Sequence, residues 1–334
     1  MSQVVLNVGI DTEIIFIGGG LLMVNAMHQV KSMGFEVRAV VAPRHISEAT
    51  SSGKKLSDEL VAGQFEYDVI DEENVLSKLP WIDTKNKSYF GLCFGPAWIF
   101  SSSTLDIFDG NFFNFNGIPI PQYLGGAHYT WQILNRDTRM ACHIQQITEK
   151  VDAGDIYLSS ADKIESSVAS SLDYFNANEK YGIGFIKKFF EMIKSREVFR
   201  VVTYLSIYEA HLYFPRLNTK KQGWINWDWN LDEIYRFCNA FDEPYIGAGT
   251  FIGSTELRFK KVTIAERMQF HPFCYGLIVR ILKGHYFVAT NGGLLKISMI
   301  KSPDNELLSS PKRGDRFHTP VELLQKAKSL RPIY

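Results

Sequence analysis

Short apolar runs alternate with helix-like patterns along the first part of the chain. Residues 14–17 form a continuous apolar run that ends in three glycines, which is typical of a buried parallel strand and its turn. Helical spacing follows over 21–33 and stops at Gly34, and residues 35–41 again have the character of a strand. This strand–helix–strand order predicts an α/β fold with a doubly wound, mostly parallel sheet. Further strand-like runs occupy residues 67–70, 89–94, 112–115 and 140–148.

The pattern changes towards the C-terminus, where a long helical run and a polar segment precede several short strands. The helical run covers residues 166–194, and the polar segment contains Pro215 and Gly223, which favour a boundary between domains. Beyond it, helical spacing over 231–241 is followed by strand-like runs that glycine-containing turns separate. We therefore predict an α/β domain over residues 1–208, a linker over 209–223 and a smaller, β-barrel-like domain over 224–334.

Composition and charge narrow the possible functions. The 334 residues include 36 basic and 36 acidic side chains, so the chain lacks the basic excess that is typical of a dedicated nucleic-acid-binding protein. Its four cysteines form no CxxC pair, which argues against a zinc site or a disulfide framework and fits a reducing compartment. The longest apolar stretch, residues 14–24, is too short to span a membrane, and no signal peptide is recognisable. We expect a cytoplasmic protein with neither a metal site nor a membrane partner.

Three glycines, Gly18 to Gly20, follow the first strand, as glycines do in dinucleotide-binding sites. That fingerprint needs a further glycine or alanine where Met23 stands, and an acidic residue at the end of the second strand. The second strand ends at residues 40–44 without a carboxylate. A tight turn between strand and helix is therefore the better interpretation, and the helix N-terminus stays available to an anionic ligand group.

Isolated polar residues in the segment 114–156 are the strongest sign of a site. Asn114 and Asn116 lie two apart at the end of a predicted strand, so they face the same side of the sheet. Ligands bind at the carboxyl edge of such a sheet, although asparagines there also form local turns. His143 lies in a strand-like run and Asp152 in an Asp-Ala-Gly turn, where a structural role is the more common one. Together the four residues indicate a site but do not name its reaction.

The same segment resembles the folate-dependent formyltransferase family, which includes sugar N-formyltransferases and methionyl-tRNA formyltransferases. The family pattern is Asn-x-His, a Leu-Pro turn, Tyr-x-Gly and then an Asp-x-Gly turn. The matching residues here are Asn114, Ile120, Pro121, Tyr123, Gly125, Asp152 and Gly154, with His143 matching a histidine that precedes the aspartate. Gly18 to Gly20, residues 90–100 and a C-terminal stretch over 225–248 extend the resemblance to most of the chain.

The resemblance implies that a formyl group moves from 10-formyltetrahydrofolate to an amine, with Asn114, Asn116 and Asp152 as the catalytic residues. In the family, the asparagine and the histidine stabilise the developing oxyanion. The aspartate holds the histidine and helps to remove the amine proton. The implied cofactor-binding residues are Phe90, Leu92, Phe94, Gly95, Val151, Ala153, Gly154, Asp155 and Ile156. The implied substrate-binding or supporting residues are Gly18, Tyr123, Gly125, His128 and His143.

Asn116 departs from the family pattern, because it occupies the position of the catalytic histidine. An asparagine amide donates a hydrogen bond, but it neither becomes a cation nor shuttles a proton. Two interpretations therefore stay open. One is an enzyme that takes its imidazole from His128 or His143, and the other is a relative with altered chemistry or without catalysis.

The acceptor that the resemblance implies is the amine of a nucleotide-linked amino sugar. Methionyl-tRNA is the alternative, but tracking the phosphates of tRNA requires a basic surface. Residues 44–66 contain three cations against four acidic residues, and the chain as a whole has no net charge. The identity of the sugar, the nucleotide base and the oligomeric state stay open, and a homodimer is one option.

Overall fold

The structure is a computed structural model that describes residues 2–9, 11–50, 52–126, 128–165, 169–203, 207–303 and 310–330. The chain divides into two compact units. Unit 1 consists of Met1–Leu124, Arg139–Lys163 and Asn176–Leu212, and unit 2 consists of Gly125–Thr138, Ile164–Phe175 and Tyr213–Tyr334.

The strands and helices are numbered in chain order. The strands are β1 (Ser2–Val4), β2 (Thr12–Gly18), β3 (Glu36–Val41), β4 (Glu66–Val69), β5 (Ser88–Phe94), β6 (Phe112–Asn116), β7 (Leu124–Gly125), β8 (Arg139–Gln146), β9 (Ile156–Lys163), β10 (Phe199–Val201), β11 (Tyr213–Phe214), β12 (Ala248–Ile252), β13 (Thr255–Arg267), β14 (Ile278–Leu282), β15 (His285–Thr290), β16 (Gly293–Lys301) and β17 (Phe317–His318). The helices are α1 (Leu21–Ser32), α2 (Pro43–Ile46), α3 (Leu56–Ala62), α4 (Ser102–Leu105), α5 (His128–Leu134), α6 (Ser171–Lys194), α7 (Thr219–Gln222), α8 (Leu231–Ala240) and α9 (Val321–Ser329). Short 3₁₀ turns cover Glu73–Lys78, Asp106–Phe108, Tyr208–Ala210 and Pro272–Cys274.

A seven-stranded sheet forms the centre of unit 1, in the order β4-β3-β2-β5-β6-β8-β9. The strands from β4 to β6 run parallel, whereas β8 is antiparallel to β6 and β9 is antiparallel to β8. The chain leaves β2 towards β3 and β4, and it returns to pair β5 with the other side of β2. This reversal confirms the predicted doubly wound, mostly parallel sheet, and such sheets bind ligands at the carboxyl ends of the strands.

Apolar side chains on both faces of the sheet form two separate cores. On one face, α1 and α6 pack against alternate residues of β5, so that Phe90 and Leu92 are fully buried. On the other face, Tyr89 and Cys93 of the same strand pack with aromatic residues such as Phe108 and with the 3₁₀ turns. Burial on both faces explains why the sequence of this strand is almost continuously apolar, because every residue after Ser88 is buried.

Unit 2 contains a six-stranded antiparallel sheet in the order β14-β15-β16-β13-β12-β17. The two edges of this sheet meet, since the Phe317 N–H donates to the Gly276 carbonyl at 2.8 Å and the Ile278 N–H donates to the Asp315 carbonyl at 2.8 Å. The sheet is therefore closed into a small barrel, which confirms the predicted barrel-like domain and leaves its edge strands paired. Helix α8 begins with a capping box between Asn230 and Glu233, and it packs against β13 and β16.

Two segments that the sequence places in the first domain cluster with the second unit. Residues 125–138 include α5, in which the Trp131 indole donates to the Pro215 carbonyl at 2.9 Å. Residues 164–175 include the start of α6, where the Ser171 hydroxyl donates to the Ala240 carbonyl at 2.8 Å. No local pattern in the sequence predicts these long-range hydrogen bonds. The predicted helix start at 166–168 lies outside the described residues, and the helix is seen from Ser171 onwards.

Substitution of Gly18 tests the tight contact between the ends of β2 and β5. Gly18 has a φ of +128°, and a Cβ there would collide with the carbonyl oxygen of Phe94. Gly184 lies exposed in α6 with open space around it, so it is the matched control. We expect Gly18→Ala to lower the free energy of unfolding by about 2–4 kcal/mol through steric overlap and backbone strain. Gly184→Ala should raise it by about 0.5–1 kcal/mol, because alanine favours the helix. Urea denaturation of both variants measures this, and equal effects would contradict the packing described.

Candidate active site

Three side-chain amides form a continuous hydrogen-bonded chain at the carboxyl end of β6. The Asn114 amide nitrogen donates to Oδ1 of Asn116 at 2.8 Å. The Asn116 amide nitrogen donates in turn to Oε1 of Gln145 on the neighbouring strand β8, also at 2.8 Å. Asn114 and Asn116 face the same side of the sheet, as their spacing predicts. We call these three residues the amide chain.

Two backbone carbonyls fix the direction of every hydrogen bond in the amide chain. The Gln145 amide nitrogen donates to the carbonyl oxygens of Asp152 at 3.0 Å and Gly154 at 2.9 Å. Because carbonyls only accept, Gln145 must turn its own oxygen towards Asn116, and each amide then orients the next. At the far end, Oδ1 of Asn114 is buried and has no hydrogen-bond partner among the described residues. A buried unpaired acceptor is costly, so this atom is suited to a donor group on a ligand.

The turn that carries Asp152 is held against the sheet from both sides. Asp152 has a φ of +56°, a conformation that aspartate tolerates better than most residues. Gly154 packs so closely on the Gln146 carbonyl that a Cβ there would overlap with it, and the Gln146 N–H donates to the Asp155 carbonyl at 2.8 Å. Burial raises the pKa of the Asp152 carboxyl, and the charge of His211 acts in the opposite direction. A carboxylate with a raised pKa is a better proton acceptor than an exposed one.

His143 lies on the same strand as Gln145, but both of its ring nitrogens already have partners. Its Nε2 accepts the Ile120 N–H at 3.3 Å, and its Nδ1 lies 2.8 Å from the Ser159 hydroxyl. Burial lowers the pKa of His143 to about 4, although the nearby Ile118 backbone acts against this shift. His143 is therefore a neutral, structural imidazole that supports the loop after β6, and this geometry does not favour it as the substitute for a catalytic histidine.

A cleft that is open to solvent lies beside the amide chain. Asn114, Gln145 and Asp152 contribute polar groups to it. Ile99 and Val151 are apolar and strongly exposed at this cleft. The remaining lining residues are Pro96, Trp98, Phe100, Gln146, Ile147, Thr148 and Lys150. Apolar walls with a few placed polar groups are typical of sites for small organic ligands.

The structure places only part of the predicted cofactor-binding set at this cleft. Val151 lines it directly, and Ala153, Gly154, Asp155 and Ile156 belong to the adjoining turn and strand. Phe90 and Leu92 do not line it, because both are fully buried in the core behind the sheet and their backbones belong to the strand ladder. Phe94 is also buried in that core, and Gly95 is the exposed turn residue that follows it. The segment that follows β5 lines the cleft only from Pro96 onwards.

The predicted substrate-binding or supporting residues are spread over both units. Gly18 closes the turn after β2, and Tyr123 is buried in the loop after β6. Gly125 belongs to unit 2, where a Cβ would collide with the Phe214 carbonyl. His128 is the first residue of α5, and its side chain lies outside the described part of the structure.

Sequence reasoning missed Gln145, although the structure makes it the central link of the site. A glutamine within an alternating strand pattern is ordinary, and only its position two residues after His143 places it on the same face. Trp98 and Ile99 lie within the segment 90–100 that the resemblance covers, but the sequence did not single them out, because an apolar residue in a loop carries no local signal of a ligand.

Comparison with known proteins relates both parts of the chain to one family. Residues 218–312 match the formyl transferase C-terminal domain. The methionyl-tRNA formyltransferase of Prochlorococcus marinus is 22% identical over 321 residues, which are 94% of this chain and 96% of that protein. The methionyl-tRNA formyltransferase of Mesoplasma florum is 25% identical over a shorter span, 59% of this chain and 60% of that protein.

The chain therefore resembles formyltransferases over most of its length. Solved structures share its fold. An N-formyltransferase from Helicobacter canadensis, solved with folinic acid and dTDP-3-aminofucose, superposes with a TM-score of 0.62 at 17% identity. That likeness covers 86% of this chain and 98% of the other chain. No helix in the described part of the chain has the length and apolar character needed to cross a membrane.

Replacing Gln145 by glutamate tests whether the amide chain holds the Asp152 turn in place. A carboxylate cannot donate to the two backbone carbonyls, so both acceptors lose their partner. We expect Gln145→Glu to lower the free energy of unfolding by about 2–4 kcal/mol, given the cost of unpaired buried groups. The neighbouring Gln146 bonds the Gly110 carbonyl at the surface, so Gln146→Glu should cost only about 0.5 kcal/mol. Similar losses in the two variants, measured by urea denaturation, would count against the amide chain.

His143 gives the protein a defined dependence of stability on pH. Its pKa in the folded state, about 4, lies below the value of about 6.5 in an unfolded chain. The unfolded state therefore binds the proton first as the pH falls, and stability that is complete above pH 6.5 is lost towards pH 4. Between pH 7 and pH 4.5 the expected loss from this residue is roughly 2–3 kcal/mol. His143→Gln should remove that part of the pH dependence, whereas His271→Gln at an exposed site should leave it. A wild-type slope retained in His143→Gln would show that the histidine is not buried in its neutral form.

Proposed function

We propose that this protein is a formyltransferase, which moves a formyl group from 10-formyltetrahydrofolate to the amine of a nucleotide-linked amino sugar. The observation that carries the proposal is the cleft in which Asn114 and Asp152 lie together. It supplies a buried acceptor, Oδ1 of Asn114, and a carboxyl with a raised pKa, within one partly apolar site. An amine that attacks a formyl carbon needs both to be oriented and to lose a proton, and these two groups are suited to those tasks.

The chemical character of the cleft suits a formyl donor of the folate type. Ile99, Val151 and Trp98 offer apolar surface to an aromatic ring system, and the polar atoms of the amide chain lie beside them. The Helicobacter canadensis relative was solved with folinic acid, a formylated folate. When bound, 10-formyltetrahydrofolate supplies the formyl group as an electrophile.

The residues of this chain have separate tasks in the proposed reaction. Oδ1 of Asn114 accepts a hydrogen bond from the acceptor amine and orients its lone pair. The second hydrogen of the Asn114 amide, which Asn116 does not use, is available for the formyl oxygen as negative charge develops there. Asp152 accepts the amine proton. Asn116 holds Asn114 in place, so its role here is to position another residue rather than to transfer a proton.

An amino-sugar acceptor is favoured by charge and by the structural relatives. The chain carries 36 basic and 36 acidic residues and has no net charge, which suits a small anionic substrate better than a tRNA. The Helicobacter canadensis protein was solved with dTDP-3-aminofucose, which is a nucleotide-linked amino sugar. We therefore place the acceptor in this chemical class and expect a cytoplasmic enzyme.

Methionyl-tRNA is the second candidate acceptor, and one observation supports it. The Prochlorococcus marinus relative is a methionyl-tRNA formyltransferase, and it aligns over 96% of its length. A tRNA acceptor predicts binding that weakens steeply with salt, because phosphate contacts release counterions. A relative with altered chemistry is the third candidate, since Asn116 stands where the family has its histidine.

The test is transfer of a ¹³C-labelled formyl group from 10-formyltetrahydrofolate, followed by mass spectrometry of each acceptor. We expect a labelled N-formyl product from an amino-sugar nucleotide and none from methionyl-tRNA. Asn114→Ala should slow transfer by about 10²–10³-fold, as loss of one oriented polar group does in related chemistry. Asp152→Asn should slow it at least as much, while Asp228→Asn, at an exposed site in the barrel, is the matched control.

The outcomes separate the three candidates. Labelled methionyl-tRNA would replace the sugar assignment. Transfer that survives both Asn114→Ala and Asp152→Asn would place the active site elsewhere. An absence of product with every acceptor, together with a folate-dependent rise in melting temperature, would indicate the relative with altered chemistry.

A further inference from the structure

Strands β6 and β8 separate immediately after Asn116, the middle residue of the amide chain. Asn116 pairs with His143 at the end of the ladder between these two strands. From Gly117 onwards the chain leaves the sheet, whereas β8 extends to Arg139 and pairs there with β9. The last pair of a ladder is held by backbone pairing on one side only, so the place of Asn116 also depends on what holds Gly117.

Asn178 of helix α6 joins the two strands at the point where they separate. Its side-chain amide nitrogen donates to the Gly117 carbonyl at 3.1 Å and to the Ala141 carbonyl at 3.4 Å. Because carbonyls only accept, the nitrogen of this amide must face both of them. The side chain is almost fully buried, with 4% of its residue surface exposed. One amide group thus continues the connection between β6 and β8 beyond their last backbone pair, and we call it the fork bridge.

Gly117 is the residue that gives the fork bridge its room. A Cβ at this position would lie 2.3 Å from Oδ1 of Asn178, far inside van der Waals contact. The φ of Gly117 lies outside the left-handed region, so the backbone itself would accept other residues. The requirement for glycine here therefore comes from the packed amide of Asn178, and the two residues fit each other.

The loop after β6 has a second point of attachment at His143. Nε2 of His143 accepts the Ile120 N–H at 3.3 Å, three residues beyond Gly117. Residues 117–120 are thus held at both ends, by Asn178 and by His143. Only the bond from Asn178 acts on the peptide unit directly after Asn116.

We propose that Asn178 is a positioning residue of the candidate active site, because it holds Gly117 and thereby sets the place of Asn116. Asn116 in turn orients Asn114 at the cleft through their hydrogen bond of 2.8 Å. A displacement of about 1 Å in such a group lowers the rate of a reaction by up to about 10²-fold. The effect of Asn178 on rate rests on the proposed formyl transfer, whereas its effect on the geometry of the amide chain is tested without substrate.

Two other asparagines of the chain are matched controls for Asn178. Asn176 lies exposed on the same helix, two residues earlier. Asn239 is buried in unit 2, and its amide nitrogen donates to the Tyr235 carbonyl at 2.8 Å and to the Val262 carbonyl at 3.3 Å. Asn239 therefore makes the same kind of paired hydrogen bonds to backbone carbonyls, but none of them involves the amide chain. Its variants measure the effect of lost stability alone.

The first test follows the side-chain amide signals of Asn116 by NMR in the full-length protein without ligand. Asn178→Asp keeps the size of the side chain, but a carboxylate donates to neither carbonyl. We expect this variant to shift the Asn116 signals and to raise their rate of exchange with solvent by about 10-fold or more. Asn176→Asp and Asn239→Asp should leave the signals and their exchange unchanged. Unchanged Asn116 signals in Asn178→Asp would overturn the proposal.

Gly117→Ala tests the same contact from its other side, and it does so even if Asn178→Asp does not fold. The added methyl group displaces the Asn178 amide, so this variant should shift the same Asn116 signals. In the double variant, Gly117→Ala with Asn178→Ala, the shift should not exceed that of Asn178→Ala alone, because both changes break one contact. Additive shifts would show that the two residues act independently and would contradict the fork bridge.

Kinetics of formyl transfer test the consequence for the reaction. Asn178→Asp should lower kcat per folded molecule by about 10–100-fold. KM for 10-formyltetrahydrofolate should stay close to that of the wild type, because the apolar walls of the cleft, Trp98, Ile99 and Val151, are untouched. Asn239→Asp should leave both constants unchanged. A general loss of structure would not produce this separation of kcat from KM.

The two kinds of measurement separate the inference from the proposed function. Shifted Asn116 signals together with a wild-type kcat in Asn178→Asp would contradict the role of Asn178 in the reaction. An absence of formyl transfer in the wild type with every acceptor would refute the proposed function, and the NMR comparison would still decide whether Asn178 sets the place of Asn116.

Discussion

The chain of three amides between β6 and β8 is the constraint on which the candidate site depends. It begins at two backbone carbonyls, those of Asp152 and Gly154, which accept both hydrogens of the Gln145 amide. Each later bond follows from this start, so Asn116 and Asn114 have one orientation only. Buried polar groups connected in this way rigidify a site when all are satisfied. The one acceptor left unpaired, Oδ1 of Asn114, is at the cleft where a ligand can supply the donor.

The amide chain shows which role Asn116 has in the structure. As an isolated substitution, asparagine in place of histidine suggests a lost catalytic group. In the structure it is a link that both donates and accepts, with bonds of 2.8 Å on either side. Asn116 therefore has a structural role in the amide chain, because its two bonds fix the orientation of Asn114.

Much of the fold could be predicted from the sequence, because its signals are local. Continuous apolar runs gave β2, β3 and β5, and glycine turns separated the strands of the barrel. Strand β9 was not predicted, since its sequence is mixed and its outer part is exposed. Within the site, motif positions located Asn114, Asn116 and Asp152. Phe90 and Leu92 do not line the cleft, because a motif on a central strand does not tell which face is covered by helices, and their role in binding the cofactor stays a prediction. The role of Gln145 depends on its contact with Asn116 on another strand, which no local sequence pattern encodes.

Hydrogen exchange of the Gln145 side-chain amide tests the amide chain most directly. Both of its hydrogens are donated to backbone carbonyls and the side chain is only 3% exposed, so they should exchange with solvent far more slowly than those of the exposed Gln64. The measurement follows the assigned side-chain amide signals by NMR after transfer into deuterated buffer. The account predicts protected Gln145 signals in the ligand-free protein. Exchange of Gln145 as fast as that of Gln64 would show that the amide chain does not exist in solution, and the orientation of Asn114 and Asn116 would then have no basis.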